Sequence, residues 1–151
     1  MAAEPLRLAF DGGSRGNPGP AAWGVAVLDE DGRFVEGRAA CLGRATNNVA
    51  EYHGLVEALR LATERGVRRV HIQSDSELIV KQLRGVYRVR HPDLKPLYAK
   101  ARALMSRLDD ARVVHVRRAE NKDADRMVNE ALDRASRGQE GVVHEVATAG
   151  S

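Results

Sequence analysis

The chain has 151 residues, 43% of them hydrophobic, with 24 Lys and Arg against 21 Asp and Glu and a formal net charge of +3. This length and composition predict one domain with its own core, and no apolar run approaches the length of a membrane span. A single cysteine, Cys41, excludes an internal disulfide and a cysteine-cluster metal site, and residues 1–5 lack the basic start and apolar core of a secretory signal. The expectation is a cytoplasmic protein whose metal ligands are oxygen or histidine. With one Trp, three Tyr and two Phe, the chain is poorly equipped to stack bases on an aromatic platform.

Leu6, Leu8 and Phe10 alternate with Arg7 and Ala9, the period of a strand, and this run ends on Asp11 followed by Gly12 and Gly13. A carboxylate beside a buried strand is costly without a partner. The glycines permit close backbone approach, and Ser14, Asn17 and the Asn-Pro-Gly turn add neutral hydrogen-bonding groups suited to a sugar-phosphate chain. Residues 21–28 and 33–42 read as two further strands around Asp29-Glu30-Asp31-Gly32, whose Asp-Gly pair signals a hairpin. Three strands joined by short turns predict an antiparallel meander.

From residue 48 to 65 the period becomes helical, through Val49, Tyr52, Leu55, Val56, Leu59 and Ala62, and Gly66 stops the helix. Residues 69–75 are a short strand after a helix, the mark of a crossover back to the sheet. A helix over 76–84 ends at Gly85, and 86–93 reads as a loop with several bases. Residues 94–108 form another helix that tolerates Pro96 in its first turn, 112–118 the last strand, and 121–137 a closing helix stopped by Gly138. The order predicts an α/β mixed sheet with helices on its faces, residues 1–138 forming the domain. Residues 139–151 remain as a tail, either disordered or a short appended strand.

Four acids sit at element boundaries, and each taken alone has a structural explanation. Asn48 and Glu51 have the spacing of a capping box, as do Ser74 and Glu77, with Asp75 between them favouring the helix dipole. Asp125 falls in the first turn of the closing helix. Asp11 has no helix beside it. Taken together they suggest more, because ligands gather beyond the carboxyl ends of parallel strands, where Asp11 and Asp75 can lie side by side and Glu51 and Asp125 can reach. Four carboxylates in one place repel each other, and no single Lys or Arg is placed in sequence to neutralise them. A pair of hard divalent cations is: oxygen ligands select Mg²⁺ or Mn²⁺, and two such ions about 4 Å apart can activate water and stabilise the leaving oxygen in phosphodiester hydrolysis.

The motifs Asp11-Gly-Gly-Ser-Arg-Gly-Asn-Pro-Gly19, Thr46-Asn-Asn-Val-Ala-Glu51-Tyr52, Ser74-Asp75-Ser76 and Asn121-Lys-Asp-Ala-Asp125 resemble, in order and spacing, those of ribonuclease H type 1 in its compact prokaryotic and archaeal form. The resemblance implies a ribonuclease H fold, with a five-stranded mixed sheet of order 3-2-1-4-5 whose first three strands are antiparallel. It also implies a monomeric endonuclease that cuts the RNA strand of RNA/DNA hybrids with two Mg²⁺ ions, Mn²⁺ substituting, and without membrane or protein partners. By position, Asp11, Glu51, Asp75 and Asp125 match the family's four metal-binding catalytic acids. Asn17 and Thr46 match contacts to a DNA-strand phosphate, while Asn47, Asn48 and the backbone of Gly12, Gly13 and Ser14 resemble a minor-groove grip. Hydrogen bonds to 2′-hydroxyls give that grip a physical rationale, since they distinguish RNA from DNA without reading sequence.

The sequence also departs from the family pattern. Many members carry a histidine between the last strand and the last helix, where this chain reads Arg117-Arg118-Ala119-Glu120. Arg118 is expected to face phosphate there, although a guanidinium cannot act as a base. His115, inside the expected strand, reads as packing, and His53, His71, His91 and His144 show no metal-ligand pairing. The basic loop 84–95 is expected to add a few phosphate contacts. The alternative is a non-catalytic hybrid-binding module of the same fold, against which retention of all four acids argues.

Overall fold

The structure is a computed structural model that describes residues 4–148. In chain order it comprises β1 (Leu6–Ser14), β2 (Gly19–Leu28), β3 (Phe34–Ala45), α1 (Asn47–Glu64), β4 (Arg69–Ser74), α2 (Glu77–Leu83), α3 (Lys95–Met105), β5 (Asp110–His115), α4 (Lys122–Ser136) and β6 (Val143–Val146). A short turn of helix, Arg118–Glu120, leads into α4. Among the described residues no helix is long and apolar enough to cross a membrane.

The strands make one sheet of order β5-β4-β1-β2-β3-β6, with β1, β2 and β3 antiparallel and β4 parallel to both β1 and β5. Six strands replace the five expected. The addition is β6, which pairs antiparallel with the outer edge of β3 from Glu36↔Val146 to Ala39↔Val143. A bare strand edge presents unpaired N–H and C=O groups, and β6 satisfies those of β3 while burying Val143 against the α4 side of the sheet. Arg126 also reaches Glu145, and His144 Nε2 lies 3.0 Å from Glu36 Oε2. Four residues are too few to display a period, and their partner lies about a hundred positions away, so the pairing left little trace in local sequence.

Strand β1 is longer than its apolar alternation suggested. Its first half, Leu6 to Ala9, pairs with β4, whereas Asp11 to Ser14 pair only with β2. Asp11 therefore sits just past the point where β4 leaves β1, with an open crevice on one side.

One face of the sheet is covered by α1, whose Tyr52, Leu55, Val56 and Leu59 pack with Leu8, Phe10, Val25 and Ile72 in the main core. The other face is covered over β1 to β3 by α4, which sets Met127, Val128, Ala131 and Leu132 against Ala22, Ala39 and Val143. Glycines govern how near both helices come. A Cβ on Gly12 would lie 2.1 Å from the carbonyl carbon of Ala50, and one on Gly54 would lie 2.5 Å from the carbonyl oxygen of Asp11. On the other face, a Cβ on Gly24, the register partner of Asp11, would lie 2.7 Å from the carbonyl oxygen of Ala124.

A methyl group at such a contact forces the backbones apart, and overpacking of a core costs about 1–3 kcal/mol. Gly54→Ala is expected to lower the unfolding free energy by about that amount in urea titration. A loss below about 1 kcal/mol would show that α1 accommodates the methyl without moving off β1.

Candidate active site

Each acid arrives by a different element. Asp11 comes from β1, and Glu51 from the first turns of α1, where Gly12 and Gly54 allow close packing. The helix is capped by Thr46, whose Oγ1 accepts from Val49 N at 3.3 Å. Neither Asn47 nor Asn48 is the cap, so the expected capping box with Glu51 does not form and its carboxylate is left for the site. Asp75 sits between β4 and α2, beside Ser76, which caps α2 by accepting from Ile79 N at 3.3 Å. Asp125 lies in the first turn of α4. The start of that helix is tied to β1 by buried Asn121, whose Nδ2 donates to the carbonyl of Phe10 at 2.9 Å.

All four carboxylates line one cavity of about 650 Å³, together with Gly12, Gly13, Ser14, Asn47 and Arg118. Asp11 is only 8% exposed. Its carboxyl is pushed up to about 8, first by burial and then by Asp75, with Glu51 and Asp125 adding repulsion against a bond from the Gly12 N–H. Burial also raises Glu51, opposed by a hydrogen bond with Ser76, and raises Asp75, opposed by the charges of Arg118 and His115. Among the described residues none of the four acids takes part in an ion pair. A cluster held against its own repulsion without a neutralising cation is suited chemically to hard divalent ions.

Among the described residues no three His, Cys, Asp or Glu side chains form a ready-made metal cage. Hard ions of the Mg²⁺ type do not require one, because they keep several waters and take one or two carboxylates each. The open cavity has room for those waters.

Other expected site residues fall elsewhere. Asn17 does not line this cavity; its Oδ1 accepts from Asn47 N at 3.1 Å, while Asn47 Oδ1 accepts from Ser14 N at 2.8 Å. Thr46 borders a separate groove with Pro18, Arg44 and Pro92. Asn48 lines neither. Conversely, the cavity includes Arg15, Arg117, Asn129 and His115, none of which the sequence singled out as site residues. His115 is a correction. Instead of packing inside a strand it is exposed at the last position of β5, in register with Ser74 and close enough to act on Asp75. The useful signal was there to read: Ser74 immediately precedes a candidate ligand, and a parallel neighbour ending at the same level must face that ligand's crevice.

A family model described as Reverse transcriptase-like matches residues 9–131. Ribonuclease HI of Halobacterium salinarum is 46% identical over 126 residues, covering 83% of this chain and 63% of that protein. The crystal structure of the Halobacterium salinarum RNase H1 superposes with a TM-score of 0.81 at 44% identity, covering 86% of this chain and 98% of that one. The chain belongs to the ribonuclease H1 family. A second ribonuclease H1, LC11-RNase H1, solved in complex with an RNA/DNA hybrid, gives a TM-score of 0.81 at 43% identity, covering 87% of this chain and 99% of that one. A bifunctional protein of Mycobacterium tuberculosis is 47% identical over 128 residues, covering 83% of this chain and 35% of its own length. The chain thus spans between about a third and two thirds of these curated relatives. Ribonucleases H generally use divalent metal ions in catalysis, in keeping with the acid-lined cavity.

The raised Asp11 carboxyl has a thermodynamic consequence in metal-free protein. Its folded value of about 8 exceeds the ordinary 3.8, so the fold favours the neutral acid and loses that contribution as pH rises from near 4 to above 8. In chelator, Asp11→Asn is therefore expected to melt above wild type at pH 8, with the gap closing towards pH 4. Parallel melting curves at both pH values would contradict the electrostatic crowding.

Proposed function

We propose that this chain hydrolyses the RNA strand of RNA/DNA hybrids endonucleolytically, with two Mg²⁺ ions held by Asp11, Glu51, Asp75 and Asp125 and Mn²⁺ able to substitute. The observation that carries the reading is the convergence of four carboxylates, none ion-paired among the described residues, on one open cavity beside the glycine-rich end of β1. Divalent cations bound there would supply Lewis acidity and activate the attacking water. Asp11, lodged between the two helices, would hold the most fixed position, and Glu51, Asp75 and Asp125 would supply the remaining carboxylates from separate elements.

The neighbouring residues would select and orient the hybrid. Gly12 gives its space to the backbone of α1 beside Glu51, and both Gly12 and Gly13 line the cavity with main chain, which a nucleic-acid strand would approach closely. Ser14 and Asn47, already joined by a hydrogen bond, would with Gly12 and Gly13 form the polar rim that meets 2′-hydroxyls in the minor groove, and Asn48, which does not line the cavity, would meet the hybrid beyond that rim. The Thr46 hydroxyl oxygen accepts from Val49 N, which leaves its hydrogen for a phosphate. The Asn17 oxygen is taken by Asn47 N, so its amide NH₂ is the end left to donate to that phosphate. Arg118, at the cavity wall near Asp75, would bind a phosphate of the cleaved strand and cannot act as a base. The reading places the nuclease unit in residues 1–138, with 139–151 as an appendage, acting as a monomer in the cytoplasm.

Incubation of a labelled RNA/DNA hybrid with Mg²⁺ is expected to give internal cuts in the RNA strand only, with duplex DNA intact and no reaction in chelator. Asp11→Asn, still folded by circular dichroism, is expected to lose at least about a thousandfold in kcat. Retained affinity for the hybrid with no cleavage under either metal would replace the enzyme by a hybrid-binding module.

Arg118→Ala is expected to lower kcat/KM by about tenfold and to flatten the dependence of hybrid affinity on salt by about one phosphate contact. Unchanged turnover together with an unchanged salt slope would remove Arg118 from the site.

A further inference from the structure

A second candidate site lies on the sheet face that carries Asp11 and Asp75, towards the opposite ends of the same strands. The two-residue period places Arg7 and His71 on that face, and the pairing aligns Arg7 with His71 on β4 and His71 with Arg112 on β5. Adjacent strands are about 4.8 Å apart, so three basic side chains form one row across three strands. Helix α4 packs over β1 to β3 and leaves β4 and β5 on this side open. Gln73, which donates through Nε2 to Glu120 O at 2.8 Å, separates the row from the acid-lined cavity.

The row borders a cavity of about 210 Å³ whose other walls include Leu28, Gly32 and Val114, with no acidic side chain in the lining. Little in the protein neutralises it. The Arg7 side chain has no ion pair or hydrogen bond among the described residues. Among the described residues Arg112 pairs only with Asp110, at 3.7 Å, a carboxylate that Arg69 also approaches at 4.0 Å. His71 Nε2 is buried without a partner. The acidic turn beside Gly32 directs its Asp29 carboxylate onto the N–H groups of Asp31 and Arg33.

Two guanidiniums in one row repel each other across a sheet, and a buried polar ring nitrogen without a partner adds to that cost. Two guanidiniums and an imidazole around a small cavity form a donor set for one oxyanion, which the guanidinium forks can bind bidentately. At about 210 Å³ the space falls below the usual range of about 300–1,000 Å³ for small-molecule pockets, so it fits a phosphate group and not a nucleoside. We propose that Arg7, His71 and Arg112 bind one phosphate group, as free phosphate or as the terminal group of a monoester whose remainder lies outside. Such a ligand would join β1, β4 and β5 at the ends remote from the acids, and the inference does not depend on the nuclease reading.

The test is calorimetric titration of the full chain with inorganic phosphate, in chelator and at constant ionic strength, with phenyl phosphate as the monoester. One site per chain is expected, with a rise in Tm on saturation and amide shifts in a ¹H–¹⁵N spectrum centred on residues 7, 71 and 112. Arg7→Gln and Arg112→Gln change exposed side chains and should each weaken binding about tenfold or more, whereas Arg118→Gln should leave it intact. Binding of phenyl phosphate at equal or higher affinity assigns a monoester as the source, and its exclusion assigns free phosphate. Absence of binding, unchanged affinity in both Arg7→Gln and Arg112→Gln, or shifts confined to residues 115–118 would overturn the site.

Discussion

Close approach of two helices to the paired strands β1 and β2 is the constraint on which the candidate site depends. Glu51 and Asp125 are carried by helices on opposite faces of the sheet, and each can reach Asp11 only if its helix lies unusually near. Gly12 and Gly54 make that possible for α1, where the contacts are backbone against backbone, and Gly24 does the same for α4 beside Ala124. Asn121 secures α4 by donating to the carbonyl of Phe10, one residue before Asp11. The acidic cavity is thus built by main-chain contacts more than by the acids themselves, which would drive it apart.

That repulsion is held by the apolar packing behind it. Phe10, Tyr52, Leu55 and Ile72 are fully buried next to the strands and helix that carry three of the acids. Burial raises the proton affinity of Asp11, Glu51 and Asp75, most strongly at Asp11. A site poised this way spends stability on function, as protein sites commonly do. The basic row at the other end of β1, β4 and β5 has the opposite sign on the same sheet face, separated from the acids by Gln73 and the turn Arg118–Glu120.

Much of the arrangement was legible from local pattern. The alternation of Leu6, Leu8 and Phe10 identified the strand leading to Asp11, and the helical spacing from Val49 to Ala62 identified α1. Capping was less legible, because Thr46, Asn47 and Asn48 are all good N-cap residues and only packing against the β1–β2 region selects Thr46. His115 was read as core because a strand residue next to two valines fits a buried pattern, whereas β5 is an edge strand whose last residue opens onto the crevice. Strand β6 was legible only as one of two readings of the tail, disorder or a short appended strand, because what decides between them is the free edge of β3, a property of the assembled sheet.

By itself the sequence determined the periodicities, the stops at Gly66, Gly85 and Gly138, and the four acids at element boundaries that mark a ribonuclease H1, since these rest on residue type and spacing along the chain. Tertiary structure decided which cap each helix uses, which acids are left without cations, and where the sheet ends. It also decided that His115 borders the acids and that Arg7, His71 and Arg112 stand in one row. Those outcomes depend on register and helix approach between segments far apart in the chain, and a side chain's electrostatic surroundings exist only once those segments have met.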